Sequence, residues 1–301
     1  MKQAFIKLHI AIILAGFTGI FGKLITVNEG LLSWYRISLA GILMLLILAA
    51  TKKLERISVG EFMRTSLAGL FLGLHWIFFY GSIKYSNISV GVVCFSLVGF
   101  FTAIFSPLIN RKRFVLSELL LSVLTLLGIA LIFSFDSRYR VGIGLGVVSS
   151  ALGSLFTISN ERLAHSFKSE TATVYALIGG AIALTPLMPV YFYFFPVATL
   201  VPSWADVGYL LLLAFFCTVV LYMLQTQVLQ RISAFTVNLS LNLEPVYTII
   251  LAILIYHENK ELRWSFYLGL GLIILSVALQ MLQVMRAHRN AATGPAALSN
   301  Q

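Results

Sequence analysis

The side chains able to do chemistry in this sequence are few, and most lie in apolar surroundings. In LNLEPVYTIILAILIYHE, Leu241 to Glu258, Glu244 and Pro245 stand side by side in a run otherwise nearly free of charge. An acidic residue at the centre of a membrane-crossing helix costs about 2.5–3.5 kcal/mol, which large apolar neighbours at roughly 0.3–0.6 kcal/mol each can offset. Tolerance is not a reason for presence, and a carboxylate at that depth points to function by default. At 100° per residue, Ser240, Glu244, Tyr247 and Thr248 share one face, with Asn238, Asn242 and Pro245 nearly opposite. A helix polar on two faces is wedged among other helices. Pro245 leaves the Leu241 carbonyl without its usual amide partner, which predicts a kink. Glu244 is then either a buried polar anchor at a pivot or a group that binds solute or a proton.

His75 lies in GLHWIFFYGS. His75, Phe79 and Ser82 form one stripe, and Gly69, Gly73, Trp76 and Tyr80 form an adjacent one. Glycines let helices approach closely, while Trp76 and Tyr80 offer a flat face and a polar tip to a ligand. His75 either bonds a neighbouring helix or titrates near neutral pH. Lys23 and Arg36 fall inside apolar spans, within about two turns of one surface. They either snorkel, pair with Glu29 or Glu244, or hold the carboxylate of a solute. Lys23 extends the stripe Gly16-Gly19, which favours facing protein.

Two further stripes are polar at helical spacing: Ser150, Ser154, Thr157 and Glu161, and Thr218, Tyr222 and Gln225. Hydroxyls in membrane helices bond across helices more often than they bind ligands. Together with Ser96 and Asn242 they could still line one passage, and Glu161 reads as a solvated helix end. The candidate solute contacts are therefore His75, Trp76, Tyr80, Ser96, Tyr222, Gln225 and Asn242, with Lys23, Arg36 and Glu244 as charged candidates. The sequence carries no paired acid–base set, metal-ligand spacing or nucleotide loop, so no catalytic residue, metal or cofactor is expected.

These residues need a scaffold that holds them inside a bilayer. The chain is 59% hydrophobic and only 11% charged, with a mean hydropathy of +0.94, whereas a soluble domain carries about 25% charged residues. Its apolar residues fall in ten segments, near 6–26, 31–50, 62–83, 87–109, 116–135, 142–163, 172–195, 206–229, 233–256 and 264–285. Each is about the length that crosses a hydrocarbon core. Lipid offers the backbone no partners, so these are helices.

A net charge of +10 would suit a nucleic-acid binder, but its distribution rejects that reading. With alternating spans, fourteen of the 21 Lys and Arg residues fall on one side. Five fall on the other: Lys84, Arg138, Arg140, Lys260 and Arg263. The excess marks the cytoplasmic side and places both termini there. Cys94 and Cys217 sit within spans, against a disulfide framework or metal cluster. The first apolar run continues to about Val27 without a small-x-small cleavage site, so it reads as a retained helix. Residues 287–301, ending AATGPAALSNQ, read as a disordered cytoplasmic tail.

Two stretches read alike: SNISVGVVCFSLVGFFTAIFSPLINRKR from Ser86, and QRISAFTVNLSLNLEPVYTIILAILIYHEN from Gln230. Setting Phe101-Thr102-Ala103-Ile104 against Tyr247-Thr248-Ile249-Ile250 matches them without a gap around their centres. Each precedes a leucine- and glycine-rich span. Five spans followed by five more predict two halves, residues 1–140 and 141–286. An odd number per half inverts one relative to the other, which places a site near the midplane and allows alternating access.

Over its length to about Met285 the chain resembles the EamA-type branch of the drug/metabolite transporter superfamily. The residues that carry the likeness are LNLEPVYTIILAILIYHE with LGLGLIILSVALQ in the second half, and GLHWIFFYGSIKYSNISVGVV, SPLINRKR and LLGIALIF in the first. The resemblance implies an all-α polytopic fold of ten transmembrane helices in two inverted five-helix repeats, in the cell inner membrane, around a central cavity. It further implies a secondary transporter of small organic metabolites, with export of amino acids or related compounds the leading expectation and protons a possible coupling ion. Import or exchange of sugars, nucleotide-sugars or other metabolites is the alternative, and a membrane-embedded enzyme is a third reading. The family carries a glycine before the glutamate that follows the ninth span, where this chain has His257-Glu258.

Overall fold

The computed structural model describes residues 2–111, 113–133, 139–197, 199–241, 243–257 and 264–293. Asn242, Glu258 and the end of the tail, 294–301, lie outside these. Over the described residues the chain is an all-helical membrane protein of ten rods. They are α1 (Lys2–Leu24), α2 (Glu29–Ala50), α3 (Val59–Lys84), α4 (α4a, Ile88–Phe95; α4b, Val98–Asn110) and α5 (Leu116–Phe133). The second five are α6 (Arg140–Ser166), α7 (Ser169–Leu184, continuing through a tight turn into Met188–Phe194), α8 (Trp204–Ala214 and Leu221–Leu229, joined by a π-helical turn), α9 (α9a, Ala234–Leu241; α9b, Glu244–Tyr256) and α10 (Trp264–Thr293). Eight are long and apolar enough to cross a bilayer; α5 and α10 carry the shorter apolar stretches Leu116–Leu131 and Trp264–Ser276. The last helix runs to Thr293, so residues 287–293, expected in a disordered tail, are helical. Ala287, Ala291 and Ala292 favour helix, and no glycine or proline follows Gly271 in the sequence until Gly294-Pro295.

The two halves match in detail. Adding 146 to Ile88–Phe95 and Val98–Asn110 gives Ala234–Leu241 and Glu244–Tyr256. Adding 145 to Val59–Lys84 gives Trp204–Leu229. The caps follow the same rule. Ser58 with Glu61, and Ser203 with Asp206, form the same capping box at the starts of α3 and α8. Arg111 and His257 end α4b and α9b in the left-handed conformation, φ 51° and 55°.

Pro245 does not kink a continuous helix, as its sequence context predicts. It sits in the first turn of a new one, after the break that follows Leu241. First-turn amides have no intrahelical acceptor, so a residue without an N–H is cheap there, and Glu244 beside it faces the positive end of the helix dipole.

Packing crosses between halves. The Gly69 stripe of α3 lies directly on α7: a Cβ on Gly69 would stand 1.8 Å from the Ala176 carbonyl oxygen, and one on Gly180 would stand 2.6 Å from Gly69. On the other side α1 meets α9b, where the Thr248 hydroxyl donates to the Gly16 carbonyl at 2.9 Å. Asn238 Nδ2 of α9a donates to Thr102 Oγ1 of α4b at 2.8 Å, and that hydroxyl pairs with Ser154 of α6. The shorter rods α5 and α10 pack on each other, with Thr125 bonded to Ser276, and leave the centre to the remaining eight.

Candidate functional site

The eight central rods surround a cavity of about 40 Å³ that seven of them line. Thr18 comes from α1, Arg36 from α2, His75, Trp76 and Phe79 from α3, and Phe95 from α4a. Phe156 and Thr157 come from α6, Tyr222 and Gln225 from α8, and Leu241 and Glu244 from α9. Ligand pockets usually measure about 300–1,000 Å³, so this conformation is closed around its centre.

Arg36 is the strongest feature. It is 1% exposed and does not snorkel, contrary to the simplest reading of a cation in a span. Its Nε donates to Thr218 Oγ1 at 2.8 Å, Nη1 to the Tyr80 hydroxyl at 2.7 Å and Nη2 to the Cys217 carbonyl at 2.6 Å. Its guanidinium lies 3.8 Å from the centroid of the Trp76 ring, a cation–π contact. Thr218 and Cys217 belong to the π-helical turn Phe215–Val220. That turn re-aims the local carbonyls, and such turns recur at functional sites. A guanidinium keeps its charge in proteins, and here it is held by neutral groups and an aromatic face.

Glu244 is 4% exposed and lines the same cavity. No hydrogen bond joins it to another described residue, so the anchor reading gains no bonded partner. Among the described residues it forms no contact ion pair with Arg36. His75 ties α3 to α6: Nδ1 lies 2.9 Å from the Ser149 carbonyl oxygen, and the Ser149 hydroxyl donates to the His75 carbonyl at 3.0 Å. A carbonyl only accepts, so in the neutral ring Nδ1 carries the hydrogen and Nε2 is the acceptor. Phe79 and Phe95 flank the ring at 5.9 and 5.0 Å. Trp76 and Phe156 pack on Tyr222 at 5.8 and 5.3 Å.

Six of the ten residues singled out in the sequence thus meet at one cavity: His75, Trp76, Tyr222, Gln225, Arg36 and Glu244. Tyr80 stands behind it, holding Arg36. Ser96 is buried at the α4 break with a hydroxyl that has no hydrogen-bond partner, and it does not line the cavity. Lys23 is exposed, with its Nζ 4.4 Å from the centroid of the Tyr256 ring. Asn242 lies outside the described residues. Thr18, Phe95 and Phe156 were not foreseen; the signals were Thr18 between Gly16 and Gly19, and Phe156 beside the hydroxyl stripe. Glu161 is more than a solvated end, since its Oε1 accepts the Ala234 N–H at 3.0 Å and caps α9a. Ser150 and Ser154 bond the Cys94 carbonyl and Thr102 across helices.

Both ends of the cavity are closed by contacts between the halves. Beyond α1, the Thr26 amide and hydroxyl donate to the two Asp206 oxygens, each at 2.7 Å, while within the first half Lys84 donates to the carbonyl of the neighbouring Val27. At the face carrying the N-terminus, Glu55 accepts from Lys168 and from Thr171 (2.9 Å), and its carbonyl accepts from the Tyr175 hydroxyl at 2.6 Å. The hydrogen bond from Lys168 holds the Glu55 carboxyl below the usual carboxylate range.

The profile of the EamA-like transporter family matches residues 4–134 and 140–282, one copy in each half. An uncharacterized transporter of Haemophilus influenzae is 25% identical over 284 residues, covering 87% of this chain and 89% of that protein. A solved crystal structure with 16% sequence identity superposes with a TM-score of 0.69 over 95% of this chain and 99% of the other. That likeness supports the fold alone.

Proposed function

Because the chain belongs to the EamA-like transporter family, we propose that this secondary transporter exports amino acids or closely related compounds by alternating access of its two halves. The observation that carries the reading is the presence of Arg36 and Glu244, not bonded to each other, in one central cavity lined from both halves. A buried charge is costly unless it is partnered. A guanidinium with donors to spare offers a carboxylate two parallel hydrogen bonds, and a carboxylate across the same cavity suits an ammonium. Trp76, Tyr222 and Phe156 supply the apolar faces that a side chain would meet. The excess of basic residues on the side of the N-terminus supports an inner-membrane protein with both termini cytoplasmic.

The test is uptake of labelled amino acids into inside-out vesicles holding the purified protein, with a labelled sugar as the competing class. Saturable amino-acid uptake that Arg36→Gln abolishes is the expected result. Sugar uptake without amino-acid uptake would overturn the assignment.

A further inference from the structure

At the face carrying the N-terminus, a chamber of about 530 Å³ opens between the starts of α1 and α7 and the end of α8. Three cations from three elements line it: Lys7, Lys168 and Arg231. Gln227 and Gln230 add neutral amides, and Glu170 is the one carboxylate among the lining residues. Lys168 is committed to Glu55, so the local field comes chiefly from Lys7 and Arg231. Lys7 Nζ donates to Gln227 Oε1 at 2.6 Å, which joins α1 to α8 at the chamber.

A single apolar cluster separates this chamber from the central cavity. It runs from Ala4, which lines the chamber, through Leu8, Ile12 and Val237 to Leu241, which lines the cavity. We infer that the chamber is a loading site for the anionic group, carboxylate or phosphate, of a soluble organic solute, one apolar gate away from Arg36. This inference rests on the transport reading above. A topology signal accounts for basic residues at this face, but not for their convergence on a chamber of ligand size. The corresponding place in the other half, at the start of α2, differs. Its pocket of about 340 Å³ is lined by Glu29 and largely apolar side chains, with no Lys or Arg among them. The two faces therefore present opposite chemistry to an approaching anion.

The experiment measures the field directly. Gln230→Cys places an exposed thiol in the chamber, while Cys94 and Cys217 are buried. The full chain in phosphatidylcholine vesicles is reacted with an anionic methanethiosulfonate and with a cationic one. Lys7→Gln with Arg231→Gln should slow the anionic reagent about sixfold, the factor for two unit charges taken at about 8 Å in water. Arg231→Lys should leave the rate unchanged, and acetate or inorganic phosphate should protect the thiol. A rate indifferent to neutralisation would overturn the inference. So would protection by phosphatidylglycerol in the bilayer with none from the soluble anions, which would make the chamber a lipid headgroup site. The modification assay needs no transported substrate, so it stands or falls separately from the amino-acid uptake assay.

Discussion

Arg36 and Glu244 are each costly in a bilayer, and each makes a distinct demand on the cavity. Arg36 uses its fork on Thr218, Tyr80 and the Cys217 carbonyl and its face on Trp76. Lysine keeps the charge but neither the fork nor the stacking. With charged hydrogen bonds worth about 1.5–3 kcal/mol, Arg36→Lys is expected to lower kcat/KM for uptake by about 10–100-fold at near-normal membrane abundance. Glu244 distinguishes two roles. A carboxyl that exchanges protons fails as glutamine, so Glu244→Gln should be abundant and should lose the pH dependence of transport. An anchor that needs only polar atoms survives as glutamine and suffers as alanine, by about 1–3 kcal/mol. Transport per folded molecule across external pH separates the two. These residues were legible in the sequence because a charge in an apolar run needs a reason. Thr18, Phe95 and Phe156 were not, because a hydroxyl or a phenyl in a membrane helix has too many ordinary uses.

At the level of the helix, the rods and their duplication could be read from apolar length and from the paired stretches beginning at Ser86 and Gln230. The breaks could not. Leu241-Asn242-Leu243 carries no glycine, and Pro245 alone predicts a kink, whereas α9a ends at Leu241 and α9b begins at Glu244, with the Leu243 amide donating to the Ser240 carbonyl. The first half breaks at the equivalent Ser96-Leu97 with no proline at all, so the crossing of α4 and α9 sets the breaks more than local propensity does. Two glycines make the packing testable. A methyl at Gly69 would overlap the Ala176 carbonyl, whereas one at Gly208 meets nothing within 4 Å. Gly69→Ala should lose about 1–3 kcal/mol through overpacking, and Gly208→Ala should be neutral or gain up to about 1 kcal/mol; thermal unfolding in detergent checks both. His257 holds a left-handed conformation at the end of α9b, the position where the resembled family carries glycine. His257→Gly should therefore raise the melting temperature, the left-handed penalty being about 1–2 kcal/mol.

For the whole molecule, the question is how a cavity of about 40 Å³ takes in a solute. Inverted halves that rock on each other need contacts that release on one face at a time. The structure has such a set at each face. Thr26, from the α1–α2 loop, reaches Asp206 at the start of α8. At the opposite face, Lys168 and Thr171, from the start of α7, reach Glu55 just before α3. These are corresponding elements of the two halves with their roles exchanged, and both sets are closed here. The Glu55 carboxyl, held below the usual range by the hydrogen bond from Lys168, stays ionised at neutral pH, so its protonation is not what releases this set during the cycle. A change in transport above pH 6 therefore comes from elsewhere. If the halves rock, locking either face must stop the cycle although the two sites lie at opposite ends. Thr26→Cys with Asp206→Cys, and Glu55→Cys with Thr171→Cys, are each to be bridged with a short reducible bifunctional thiol reagent. Uptake should stop in both bridged proteins and return on reduction, and the unbridged pairs serve as the control for the lost hydrogen bonds. Full uptake by either bridged protein would rule out rocking of the halves and leave local gating at the apolar cluster of α1 and α9 as the route to the cavity.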